Sequence, residues 1–184
     1  VRMSRLTERL VLEPFTSKES LEDYIDFFFK LIADPKVAQG WGDPIILDAA
    51  TQEAKLGELF KHWEDHGFGM FAVFLRPSQG VETVSAQTPA RGEPLGYCRL
   101  RKIEGGHIEL LYGYRPDMWG CGYATEAAVD IISFAFNDLH LKSLVASTLP
   151  TTVASQAILK KLKFAQVASI DGTDGLMWWQ RNSE

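Results

Sequence analysis

An α/β fold, one sheet covered by helices, is what this sequence predicts, and three observations carry it. Runs with strand alternation outnumber runs with helical spacing. Two helical runs in the C-terminal half each follow a strand, and no repeat or composition break divides the 184 residues. A hydrophobic share of 46% supplies a core of the size one domain needs, so residues 1–184 are expected to fold as a single domain.

"RLVLEP", Arg9 to Pro14, sets Leu10 and Leu12 against charged neighbours and predicts a half-buried first strand. Thr16 with Glu19 three residues on has the form of a capping box, for a helix running to about Ala33 with Pro35 past its end. Asp48 or Thr51 caps a second helix through Glu64, with Leu56, Leu59, Phe60 and Trp63 on one side and Gly67 as its stop. "FGMFAVFLR", 68–76, is a mostly buried strand. The stretch 77–94 has neither period and predicts a mobile loop or functional flap. "LGYCRLRKI" and "HIELLYGYR" form a hairpin between 95 and 115 through "EGG". A helix follows, with Ala128, Ile131, Ile132, Ala135 and Leu139 spaced by three and four. The chain closes with a strand at 142–149, a short helix at 155–162, and a last hairpin whose second strand carries Trp178 and Trp179.

Composition narrows the function classes. Cys98 and Cys121 fit no disulfide framework, zinc spacing or redox pair, which points to a reducing compartment. No apolar leader or stretch of about 18 apolar residues is present, so no membrane partner and a cytoplasmic location are expected. Nineteen basic against twenty-four acidic residues, a net charge of -5, argue against nucleic acid and weakly favour a cationic acceptor through steering. "HWEDH" places His62 and His66 one turn apart but lacks the order of a zinc helix, so no metal is expected and the bland reading is a solvated face.

The chemistry-bearing stretch is "GYRPDMWGCGYATEAAVDIISFAF", 113–136. Gly120 and Gly122 remove side chains where a helix begins, leaving unpaired N–H groups and the positive dipole end to meet an anion such as a pyrophosphate. It is neither a Walker motif nor the GxGxxG fingerprint, and the same glycines also suit an ordinary strand-to-helix turn.

"RPDMWGCGYATEA", followed about thirty residues on by "TTVASQAILKKLKF", resembles the acetyl-CoA-binding core of the GNAT superfamily, and specifically the RimJ/RimL-like N-acetyltransferases. "LTERLVLEPF" resembles that branch's opening strand, and the likeness spans about Leu6 to Trp178. The resemblance implies the GNAT-like acyl-CoA N-acyltransferase fold, a central mixed, largely antiparallel sheet flanked by helices. It implies acetyl-CoA as co-substrate, with Gly120, Gly122 and Ala124 and the backbone of Trp119, Cys121, Tyr123 and Thr125 around the pyrophosphate. Three departures stand out: Trp119 replaces the usual Gln or Arg, Thr152 replaces an asparagine that touches the pantetheine arm, and Lys163 replaces the glycine before Phe164. Ser155 keeps the family's serine.

Acetyl transfer needs a base for the attacking amine and a proton for the departing thiolate. By the resemblance Glu109 is the general base. Ser155 orients the cofactor or donates to the sulfur, with Tyr112 and Tyr114 as weaker candidates for that proton and sheet-face packing as their other role. Backbone N–H groups near Leu110 and Leu111 would polarise the thioester oxygen, which calls for a bulge in that strand. Glu109 taken alone also suits a strand carboxylate facing water. Cys121, without a companion histidine, is a poor nucleophile candidate. Trp41 and Phe68 would line the acceptor side. The acceptor is an amine-bearing small molecule or a protein N-terminus, and the chain a monomer or weak homodimer, the last hairpin being a conceivable edge for pairing. A catalytically silent acyl-CoA-binding or regulatory protein of the same fold is the alternative, and a non-enzymatic interaction module the third reading.

Overall fold

The computed structural model describes residues 3–40, 48–77, 90–170 and 175–183. Eight strands form one sheet: β1 (Arg5–Leu6), β2 (Leu10–Pro14), β3 (Met70–Leu75), β4 (Pro94–Lys102), β5 (Ile108–Tyr114), β6 (Ser143–Thr148), β7 (Ala165–Val167) and β8 (Met177–Asn182). Their spatial order is β1-β2-β3-β4-β5-β6-β8-β7, and every pairing is antiparallel except that of β5 with β6. This is the expected mixed, largely antiparallel sheet flanked by helices.

Two clusters of apolar side chains cover its faces. On one face, Leu10, Leu12, Phe71, Val73, Leu100, Leu110, Leu144 and Ala146 pack against the buried side of α4 (Tyr123–Ser133), which continues as a π-helical turn over Phe134–Asp138. Leu159 of α5 (Val153–Lys161) joins them. On the other face, Val11, Met70, Ala72, Phe74 and Tyr97 pack against α1 (Glu22–Ala33) and α3 (Ala49–His66). Alternation along each strand sends successive side chains to these two cores.

Local chemistry explains the element ends. Asp48 accepts from Thr51 N–H at 2.7 Å and caps α3, and Gly67, at φ 73°, closes it. The Thr16–Glu19 capping box does not start α1. Ser17 and Ser20 bond to each other's groups in a turn, and the helix begins at Glu22. A one-turn helix, α2 (Pro35–Ala38), follows, with Asp34 accepting from Lys36 N–H at 2.8 Å. Pro35 therefore starts a helix as well as ending one.

The strand β2 is buried on both faces rather than half-buried, because α4 covers Leu10 and Leu12 while α1 and α3 cover Val11. Trp178 and Trp179 are both buried, and β8 lies inside the sheet between β6 and β7, so the pair offers no exposed edge. Of the stretch 77–94, residues 78–89 lie outside the described residues. Its end is tied down: Leu75 N–H donates to Glu93 O and Gly92 N–H to Leu75 O, and β4 begins at Pro94. Among the described residues no helix is long and apolar enough to cross a membrane.

Candidate active site

Parallel strands place the loops that follow them at the same end of a sheet. The loop after β5 leads to α4 and the loop after β6 leads to α5, so both helix N-termini open at the C-terminal end of this strand pair. There β5 and β6 part, since they pair at Glu109 and Val145 while β6 stays paired with β8 along its length. The gap begins at Glu109.

Glu109 is 1% exposed and does not face water. Its Oε2 accepts from Arg101 Nη2 at 2.5 Å and Nε at 3.2 Å, and its Oε1 accepts from Ser147 Oγ at 2.7 Å. Arg101 stands directly across β4 from it, and Ser147 reaches it from β6. Arg101 fills both lone pairs of Oε2, and Oε1, with Ser147 alone, retains one for a further donor.

Tyr112, three residues on, points to the opposite face. Its hydroxyl lies 2.9 Å from Ser155 Oγ, which joins β5 to the first turn of α5. Burial pushes the Tyr112 phenol up to about 12, with the Ser155 hydrogen bond opposing the rise, so it stays protonated at neutral pH. Two of the expected residues thus form one unit. The groups fit for taking and giving a proton flank the gap from its two sides.

At the mouth, Gly120 (φ 78°) and Gly122 (φ 83°) both adopt the left-handed conformation. Gly122 is the N-cap of α4, and no side chain caps the helix. The free N–H groups at Tyr123, Ala124 and Thr125 therefore open toward the gap end. Cys121 is exposed, and Trp119, 53% exposed, donates from Nε1 to Tyr114 O at 2.8 Å.

The remaining expected residues fall elsewhere or act differently. No bulge occurs at Leu110 and Leu111: the register of β5 on β4 is unbroken from Ile108 to Tyr114, and strand divergence is what frees that edge. Leu110 is buried in the core. Thr152 donates its hydroxyl to Leu149 O at 2.7 Å, a local turn bond. Lys163 keeps the turn that a glycine would make, at φ 62°. Phe68 is buried against His62 and His66, and Tyr114 is buried in the α4-side core. Trp41 lies outside the described residues. His62 is no solvated side chain: its Nδ1 bonds Phe68 O at 2.9 Å and its Nε2 accepts from Lys102 N–H at 3.0 Å. Among the described residues no group of three or more His, Cys, Asp or Glu side chains could hold a metal ion.

Sequence reasoning missed the residues that tie the N-terminal segment to the helix start. Glu126 accepts from Thr7 Oγ1 (2.6 Å), Arg9 N–H (2.8 Å) and Arg9 Nε (2.7 Å). Arg9 also donates to Cys121 O at 3.0 Å and lies 4.5 Å above the Tyr123 ring. One turn on, Arg5 pairs with Asp130. The only local signal was two acids spaced i, i+4 on α4. The partners of Glu109 were missed as well, and Ser147 leaves no local trace, because β5 and β6 pair in parallel across 38 residues of chain.

The sequence profile of the Acetyltransferase (GNAT) domain matches residues 9–165. The chain is 29% identical over 157 residues to the FsC-acetyl coenzyme A-N(2)-transacetylase of Aspergillus fumigatus, covering 83% of this chain and 61% of that protein. It therefore spans less than two thirds of that relative's length. Among solved structures, an acetyltransferase from Agrobacterium tumefaciens superposes with a TM-score of 0.74 at 23% identity, covering 98% of this chain and 94% of the other. A GNAT-family acetyltransferase from Bordetella pertussis gives 0.75 at 17% identity, covering 98% and 99%. With a profile match over most of its length and this fold, the chain belongs to the GNAT acetyltransferase family.

Proposed function

We propose that this protein is an acetyl-CoA-dependent N-acetyltransferase that acts by direct attack of a primary amine in a ternary complex. The observation that carries the reading is the buried Glu109 at the point where β5 and β6 part, with the Tyr112–Ser155 pair on the other side of the gap. The helix start fits the pyrophosphate of the co-substrate: its N–H groups are uncapped, and a Cβ at Gly122 would come to 3.4 Å from Arg9 Nη2. Acetyl-CoA when bound supplies the thioester, whose C–S bond breaks as the new N–C bond forms. Glu109 takes the amine proton, directly or through one water, while Arg101 and Ser147 fix its orientation. Tyr112, kept protonated by burial and oriented by Ser155, returns a proton to the departing sulfur. Gly120 and Gly122 with the backbone of Trp119, Cys121, Tyr123, Ala124 and Thr125 hold the phosphates. Within the family we read the chain as RimJ/RimL-like on its "LTERLVLEPF" and "RPDMWGCGYATEA" stretches, and as a cytoplasmic enzyme with an amine-bearing small molecule or protein N-terminus as acceptor.

Calorimetric titration with acetyl-CoA and with CoA, followed by thiol-release assays on an amine panel, tests this. Saturable binding and turnover that falls at least about 100-fold in Glu109→Gln is the expected result. Binding without turnover would make the protein a silent acyl-CoA binder of the same fold. No binding by folded protein would sink the reading.

A further inference from the structure

The face of the sheet that carries Glu109 also carries two arginines of β4, and only one of them is in an ion pair among the described residues. Arg99 stands opposite Leu111 and Arg101 opposite Glu109. Arg99 and Glu109 are therefore diagonal neighbours on one face, about 7–8 Å apart. Arg101 is committed to Glu109. Arg99 is not committed to any carboxylate: it forms no ion pair among the described residues, and its Nε is shielded from solvent without a hydrogen-bond partner. Burial, then Arg101, push its pKa down to about 10, with Tyr97, Glu58 and Glu109 opposing the fall from a distance, which leaves the guanidinium charged at neutral pH. Lys55, half-buried on α3, has its pKa lowered by burial and then by Arg99, so the two cations lie close enough to repel. Trp178 Nε1, on the same face opposite Ser147, is a second shielded donor without a partner. The other buried carboxylate of this face, Glu13, lies on β2, three strands from β5, and is paired with Arg91.

A folded chain does not hold a half-buried guanidinium with a shielded, unbonded Nε beside a half-buried lysine without cost, since partial burial weakens the screening of both charges by water. A bound anion removes that cost. We propose that Arg99, assisted by Lys55, receives a carboxylate of the acceptor, so that the substrate is an amino-acid-type molecule with its amine at Glu109 and its carboxylate at Arg99. This rests on the acetyltransferase reading for the place of the amine. It runs against the net charge of -5, which by steering alone would favour a polyamine-like cation. A planar guanidinium binds a carboxylate through two parallel hydrogen bonds, which sets orientation as well as affinity.

The test compares matched acceptors: phenylalanine, phenylalaninamide and phenethylamine, and likewise ornithine and putrescine. Thiol-release rates are corrected for the fraction of free amine at the assay pH. The carboxylate-bearing member should lead in kcat/KM by about 10- to 100-fold, chiefly through KM, the range of a hydrogen bond to a charged group. Arg99→Gln and Lys55→Met should each shrink that ratio, with Arg99→Lys keeping part of it. An enzyme that prefers phenethylamine or putrescine, or variants that slow every acceptor equally, would overturn the proposal. Should no acceptor turn over, titration of the CoA-loaded protein with N-acetylphenylalanine gives the same answer. Saturable binding weakened by Arg99→Gln supports the subsite, and no binding removes it. Loss of the general-base role in Glu109→Gln assays would leave a carboxylate preference standing, so the two readings fail separately.

Discussion

Tyr112 is where a single side chain has most to say about the chemistry. Its phenol is held at about 12 by burial and contacts Ser155 Oγ at 2.9 Å, so across neutral pH it is a proton donor of fixed orientation. Tyr112→Phe removes only the hydroxyl and leaves the ring packed against the α4-side core. The expected outcome is a kcat lower by about 10²–10⁴-fold, with the KM for acetyl-CoA little changed, read from steady-state thiol release. An unchanged kcat would return Tyr112 to a packing role and move the proton to Ser155 or water. Glu109 behaves differently, because Arg101 and Ser147 both depend on it. Its replacement takes the carboxylate from the part-exposed Arg101 and the anionic acceptor from Ser147, so Glu109→Gln is assayed with a folding control.

At the scale of elements, the start of α4 is built from two glycines and then clamped from outside by the segment that enters β2. Thr7 and Arg9 close on Glu126, and Arg9 reaches the Cys121 carbonyl inside the turn. The ion pair itself is half-exposed and contributes little to stability; its role is to hold the turn in place. Gly122→Ala tests the element as a whole. A Cβ at φ 83° strains the backbone by about 1–2 kcal/mol and meets Arg9 Nη2 at 3.4 Å. A lower denaturation midpoint together with acetyl-CoA affinity weakened about tenfold or more is the expected pair of results. A variant with normal affinity would show that the turn is not the phosphate cradle.

Across the whole molecule, four of the five tyrosines and one of the two cysteines are withdrawn from water far enough to resist ionisation. Burial raises Tyr24, Tyr97, Tyr112 and Tyr114 above their ordinary value of 10.0, and the Cys98 thiol above 9.0. Above pH 9 the unfolded chain releases these protons while the folded chain keeps them, so the native state binds more protons and stability falls as pH rises. Stability from this source is whole below about pH 9 and is lost progressively toward pH 12 and beyond. Urea midpoints at pH 8, 10 and 11.5 should decline at each step. A flat series would mean that these groups are not buried in solution.

Periodicity was enough to locate most strands and helices, because alternation and the 3.6-residue repeat are written into adjacent residues. Asp48, Gly67 and the hairpin through "EGG" were legible for the same reason. The helix start at Gly120 and Gly122 and the candidate roles of Glu109 and Ser155 were legible as motif. The start of α1 was not, since Ser17 and Ser20 compete for the backbone in a way that a capping box does not reveal. Nor was the two-sided burial of β2, which depends on helices drawn from opposite ends of the chain. Only the tertiary structure decided that β5 and β6 part at Glu109, that Ser147 and Arg101 hold its carboxylate, and that Tyr112 meets Ser155. The physical reason is separation: these contacts join residues 8 to 43 apart in the chain, and side chains that meet across strands leave no period in the sequence between them.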